Sequence, residues 1–201
     1  MSGTGAAADG GAGVVGIAAS AGGLAALTAV LGSIPHDFPL PILIVEHQLP
    51  GSKNLLPSIL DRSTALTVKQ AEDGETARPG TVYVAPTDTH LVIGAGRRLE
   101  LLDSAPERFQ RPSANVLFQS LAEHVDGAAV VIVLSGMGRD GAEGAVAVKE
   151  AGGRVMAQDE ASAQFFGMPG AAIETGAVDQ VLPAAEIGAA LSLMVAPGAA
   201  A

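Results

Sequence analysis

Short apolar runs, each followed by a helix-length stretch, constrain this chain more than any other feature. The strongest is AVVIVL at residues 129–134; VVGIAA at 14–19 and PILIVE at 41–46 are of the same kind. A half-buried strand alternates apolar and polar side chains. A strand covered on both faces is apolar throughout, as in a parallel sheet between two helical layers. Helical patterns fall at residues 22–31, 52–60, 113–124, 141–151, 169–174 and 184–193, and further strands at 154–157 and 178–182. The expected fold is α/β: a doubly wound, mostly parallel sheet with helices on both faces. Three short runs at 82–85, 90–93 and 99–102 are separated by turn residues and read as a short antiparallel hairpin excursion. Ser52 is expected to cap the second helix, and Pro50 and Gly51 to turn the chain ahead of it.

The 201 residues suffice for one domain with a core. Only 3% are aromatic, so that core must be built from Val, Leu, Ile and Ala. Residues 1–13 and 196–201 are rich in Gly, Ala and small polar residues; they read as a flexible lead-in and tail around a catalytic domain at 14–195. The absence of Cys removes disulfides, thiolate nucleophiles and Cys-ligated metals, and fits a cytoplasmic protein. No metal or cofactor is expected. A formal charge of −10 with scattered basic residues argues against a nucleic-acid partner. No long apolar run escapes Gly, Pro or charge breaks, so membrane insertion is not expected, and the first residues lack the pattern of a secretory signal.

Three motifs follow apolar strands. In IAASAGG (17–23), Ser20 stands where a strand ends and a helix begins, among small residues that permit a sharp turn. Its hydroxyl would project past the sheet edge, beside free N–H groups suited to an oxyanion. The pattern is A-x-S-x-G rather than the G-x-S-x-G of a nucleophile elbow. A helix-capping serine or a phosphate-binding turn are the alternatives, although GxGxxG and GK[ST] are missing. In VEHQLPG (45–51), His47 follows the second strand and reads as a general base or as a loop histidine satisfied by backbone. In LSGMGRDG (134–141), Asp140 follows the strongest strand. It reads as a triad acid, or as the first residue of a D-x-x-E capping box with Glu143. Parallel strands bring the three ends together. A hydroxyl, an imidazole and a carboxylate at one edge suggest acyl transfer, with Ser20 as nucleophile, His47 as base and Asp140 orienting it. The order Ser–His–Asp differs from that of the α/β-hydrolases.

The stretches AASAGG (18–23), EHQLP (46–50) and GMGRDGAEG (136–144) resemble, in order, the G-A-S-x-G-G, Q-H-M-P and G-M-G-x-D-G stretches of the catalytic domain of the chemotaxis protein-glutamate methylesterases, the CheB family. RPSANVLFQSLA (111–122), VYVAPTDTHL (82–91) and AQDEASAQFFGMPGAAI (157–173) extend the resemblance from about Val14 to Leu182. It implies hydrolysis of γ-glutamyl methyl esters on the cytoplasmic helices of methyl-accepting chemoreceptors, releasing methanol; some members also deamidate glutamines. The family's catalytic Ser, His and Asp fall on Ser20, His47 and Asp140, and the N–H of Met137 falls on an oxyanion contact. Ala21, on the same oxyanion or substrate side, stands where many members have Thr and removes a polar contact. Glu46 replaces a frequent Gln; it perturbs the base if it faces inward and is inert if it faces solvent.

The family's receiver domain does not fall within residues 1–13. The expectation is a stand-alone esterase or an excerpt of a longer protein, with a separate receiver or a methyltransferase as partner. The alternative function is a catalytically silent or differently targeted hydrolase-fold module in a non-chemotaxis signalling system. Residues 158–169 are expected to pack around the site, with Phe165 and Phe166 shaping a substrate groove, and Asp159 and Glu160 serving ordinary loop packing.

Overall fold

The apolar runs pair side by side, as strands covered on both faces must. A computed structural model describes residues 13–48, 51 and 53–195. Its strands are β1 (Val14–Ala19), β2 (Ile42–Glu46), β3 (Thr67–Gln70), β4 (Thr81–Val84), β5 (His90–Ile93), β6 (Leu99–Leu102), β7 (Ala129–Val133), β8 (Arg154–Gln158) and β9 (Gln180–Leu182). Its α-helices are α1 (Gly23–Gly32), α2 (Leu56–Leu60), α3 (Ala114–His124), α4 (Ala142–Glu150), α5 (Gly167–Glu174) and α6 (Ala184–Met194). Seven strands form one parallel sheet in the order β3-β4-β2-β1-β7-β8-β9, while β5 and β6 pair antiparallel as a separate ribbon.

Successive side chains of a strand point to opposite faces, so each central strand feeds two cores. On one face Ile17, Ile44 and Ile132 meet Leu27 and Leu31 of α1 and Ile187 of α6. On the other, Ala18, Leu43 and Val131 meet Leu117, Phe118 and Leu121 of α3. The doubly wound α/β fold is thus present, with the antiparallel hairpin beside it.

Three local expectations are corrected. The run at 82–85 is not part of the hairpin: β4 lies inside the parallel sheet, between β2 and β3. β3 (TVKQ) was not expected at all; at the sheet edge only one of its faces is well buried, so it lacks an apolar run. The second helix begins at Leu56 rather than residue 52, because Pro57 is tolerated only in a first turn. The side chain of Asn54 accepts from the Leu56 N–H there at 3.3 Å. The calls on Ser52 and Pro50, on 196–201 and on all but Gly13 of the lead-in lie outside the described residues.

Candidate active site

From β1 the chain builds outward through β2 and β4 on one side, then returns to place β7 on the other. Such a switch point leaves a crevice beyond the carboxyl ends of the strands, where ligands of open α/β sheets bind. Residues 19 and 46 are register partners in β1 and β2, so Ser20 and His47 each stand one residue beyond a matched pair. The His47 N–H donates to the Ala19 carbonyl at 3.2 Å, holding the two strand ends together.

Ser20 is fixed through its backbone. Its N–H donates to the Ser135 carbonyl at 3.0 Å, and its carbonyl accepts from Gly23 at 2.7 Å across a turn with Gly22 at φ 74°. The loop after β7 passes close by: a Cβ on Gly136 would lie 3.0 Å from the Ser20 Cβ and 2.2 Å from the Met168 sulfur. Only glycine fits that position. The N–H groups of Ala21 and Met137 meet no backbone acceptor among the described residues. Met137 is 63% exposed on the same loop.

His47 and Asp140 meet directly. Nε2 of His47 lies 2.7 Å from Oδ2 of Asp140, with side chains only 9% and 8% exposed. An ionised carboxylate accepts, so Nε2 is the nitrogen that donates to Asp140, and Nδ1 is the one that accepts a proton when the imidazole acts as a base. Ser20 and His47 line one cavity of about 530 Å³, together with Gly22, Leu24, Glu46 and Gln164. A smaller cavity of about 140 Å³, lined by Met137, Arg139 and Glu107 among others, abuts the His47–Asp140 pair.

Asp140 is not the start of a capping box on its own helix. The N-cap of α4 is Gly141 at φ 92°, and Glu143 turns away to Arg108 at 2.5 Å. The Asp140 carboxylate instead occupies the N-terminus of α3, accepting from the N–H of Ala114 at 2.7 Å, the N–H of Asn115 at 2.9 Å and the Ser113 hydroxyl at 2.9 Å. Asn115 returns the favour: its Oδ1 accepts from Gly141 at 3.0 Å and Gly144 at 2.9 Å, at the start of α4. Each helix therefore caps the other. Burial opposes ionisation of Asp140, but the hydrogen bonds from His47, Ala114 and Asn115 outweigh it and hold the carboxyl below its ordinary range. The α3 dipole acts in the same sense.

Glu46 faces inward, along the cavity wall toward the start of α1; a Cβ on Gly23 would lie 3.8 Å from its Oε1. Burial pushes this carboxyl up to about 7, against the pull of His47. Its folded-state value exceeds the ordinary 4.5, so the unfolded chain ionises first as pH rises. The resulting destabilisation grows between about pH 4.5 and 7 and is then constant. Replacing Glu46 with Gln is expected to raise the melting temperature by about 3 °C at pH 8 and hardly at pH 4. Thermal melts across that range check it; a gain independent of pH refutes it.

Sequence reasoning missed four side chains that hold the site. Ser113 and Asn115 were legible only as the opening of a helix. Ser135 joins three loops: its hydroxyl donates to the Ala21 carbonyl at 2.8 Å and accepts from the Phe165 N–H at 3.0 Å. Gln158, 1% exposed, accepts from the Ser135 N–H at 2.8 Å. Polar residues at the ends of otherwise apolar strands were the available signal. The segment at 158–169 packs at the site: Gln164 lines the larger cavity and the Phe165 carbonyl accepts from Gly136 at 3.0 Å. Asp159 closes its own turn on Ser162. Among the described residues no group of three or more His, Asp or Glu is placed to hold a metal ion, and no helix is long and apolar enough to cross a membrane.

A hydroxyl, an imidazole anchored on a buried carboxylate, and two nearby backbone N–H groups without a backbone acceptor among the described residues are groups of the kind that serine hydrolases use for acyl transfer. The family model for CheB methylesterase matches residues 15–191. A protein-glutamate methylesterase/protein-glutamine glutaminase of the group 3 operon of Rhizobium meliloti is 47% identical over 171 residues, covering 85% of this chain and 48% of that protein. A protein-glutamate methylesterase/protein-glutamine glutaminase of Bordetella pertussis is 47% identical over 175 residues, covering 85% and 50%. The crystal structure of the Thermotoga maritima CheB methylesterase catalytic domain superposes with a TM-score of 0.88 at 39% identity, covering 90% of this chain and 98% of that one. The chain belongs to the CheB methylesterase family. It spans about half the length of the curated relatives it matches.

Proposed function

We propose that residues 14–195 form a protein-glutamate methylesterase domain that acts in the cytoplasm on γ-glutamyl methyl esters of chemoreceptor helices. The observation that carries this is the 2.7 Å His47–Asp140 pair, whose imidazole lines the same cavity as Ser20, in a family whose relatives bear that activity in their names. Ser20 Oγ attacks the ester carbonyl while His47 Nδ1 takes its proton, Nε2 being committed to Asp140. The N–H groups of Ala21 and Met137 hold the oxyanion. The imidazolium then protonates the departing methoxide, methanol leaves, and a γ-glutamyl ester on Ser20 remains. Water, deprotonated by His47, attacks that ester; the proton passes to Ser20 Oγ as glutamate is released. The same steps release ammonia from a glutamine, in keeping with the glutaminase names of the relatives. Every proton and leaving group is handled by side chains and backbone, so the scheme needs no cofactor. A separate receiver or a methyltransferase fits as a partner in the same signalling system.

The test is methanol release from a receptor fragment methylated on its glutamates. Release stoichiometric with new carboxylates is expected. No release, with Ser20 still modified by a fluorophosphonate, would redirect the activity to another protein ester.

A further inference from the structure

The hydroxyl of Ser113 sits between two carboxylates. It is 2.9 Å from Asp140 Oδ1 and 2.8 Å from Glu107 Oε2, and Ser113 is fully buried. A hydroxyl has one proton and donates to one acceptor at a time. Glu107 has other contacts, with Asn115 Nδ2 at 3.5 Å and the Arg108 guanidinium at 3.7 Å. Asp140 already accepts from two backbone N–H groups of α3, so the Ser113 proton is the one donor on this carboxylate that another anion contests.

We propose that Ser113 is a positioning residue for Asp140, that its proton sets how strongly the carboxylate draws on His47, and that Glu107 competes for that proton. The inference rests on the reading of Ser20, His47 and Asp140 as a triad. When the hydroxyl donates to Asp140, charge is drawn off the carboxylate, and His47 is a weaker base. When it donates to Glu107, the charge stays on Asp140 and His47 is a stronger base.

The competitor sits on an exposed turn. Glu107 and Gln110 exchange backbone hydrogen bonds at 3.0 and 2.8 Å, with Arg108 at φ 46° and Phe109 at φ 73° between them. Left-handed backbone at two consecutive non-glycine residues is strained, and the Phe109 ring is 98% exposed. Displacement of this turn moves Glu107, and with it the share of the Ser113 proton that reaches the triad.

The other ionisable groups facing this cluster are few. His90 Nδ1 accepts from the Ser113 N–H at 3.2 Å and its Nε2 donates to the Ala105 carbonyl at 3.2 Å, which fixes one neutral tautomer. Arg108 and Arg139 reach the smaller cavity, paired outward with Glu143 and Glu174. Glu46 faces His47 from the wall of the larger cavity, and the variants below leave all six of these side chains intact.

The test is the pH profile of fluorophosphonate labelling at Ser20, which needs the triad but no particular ester. Ser113→Ala is expected to move the acid limb to higher pH by roughly half a unit, because Asp140 loses a donor. Glu107→Gln is expected to move it to lower pH by roughly as much, because the amide donates to Ser113 and leaves its proton to Asp140. A merely structural role lowers stability without opposing shifts. Removing the Glu107 charge also lowers the limb by itself, so the downward shift counts only beside the upward one; should Ser113→Ala fail to fold, Ser113→Cys, whose thiol is a weaker donor to Asp140, is expected to give the upward shift in its place. Labelled wild type with the Glu107→Gln limb unmoved or raised overturns the proposal and leaves the triad reading intact. No labelling of wild-type Ser20 overturns the triad reading and this proposal with it.

Discussion

Alanine at position 20 is expected to lower kcat for methyl-ester hydrolysis by about a million-fold, with the melting temperature within about 2 °C of wild type. The rate effect is large because the proposed chemistry has no second nucleophile: His47 has nothing to deprotonate but water, and no acyl intermediate forms. The stability effect is small because Ser20 is held through its main chain, by Ser135 and Gly23, and alanine keeps both bonds. Ser20 is only partly buried and no side-chain hydrogen bond is seen for its hydroxyl among the described residues, so removing it strands no buried partner. Methanol release and fluorophosphonate labelling, measured beside a thermal melt, check all three statements. Turnover within tenfold of wild type would remove Ser20 from the mechanism.

Asparagine at position 140 is expected to cost about ten-thousand-fold in kcat, the scale seen when a triad histidine loses its orienting carboxylate. Here it also costs stability. The carboxylate oxygens accept from His47, Ser113, Ala114 and Asn115, whereas an amide offers one oxygen and turns an NH₂ group toward one of those donors. One buried mismatch costs about 2 kcal/mol, or roughly 6 °C. That loss depends on pH with a definite sign. The folded-state carboxyl lies below its ordinary range, so its stabilisation is fully present above that range and disappears as pH falls through the depressed value. The gap between wild type and variant in thermal melts therefore narrows in strong acid. A variant that loses stability and keeps turnover would reduce Asp140 to a helix cap.

Gly136 shows how local pattern and three-dimensional need differ. Along the chain it is one small residue in the loop after the strongest strand. That Gly136 must admit the Met168 side chain and the Ser20 Cβ at once follows only from the crossing of the β7 loop over β1. Glu46 is a second case. As the last residue of an apolar strand it had two possible faces, and its inward direction depends on α1 starting beside it at Gly23.

The apolar strands, their parallel pairing and the three residues at their ends were readable along the chain. Uninterrupted Val, Ile and Ala runs can be satisfied only between two helical layers, and a strand's polar terminus must emerge at an edge. The motifs carried the family as well. The capping partner of Asp140 was not readable. The D-x-x-E pattern offered a local cap on α4, but the N-terminus of α3, 25 and 26 residues earlier, supplies stronger donors. The membership of β4 in the main sheet was hidden for the same reason, since an edge strand as polar as β3 announces itself only through its neighbour. Hydrophobic periodicity is a property of consecutive residues, whereas the choice among competing hydrogen-bond partners belongs to whichever elements the packed sheet brings within 3 Å.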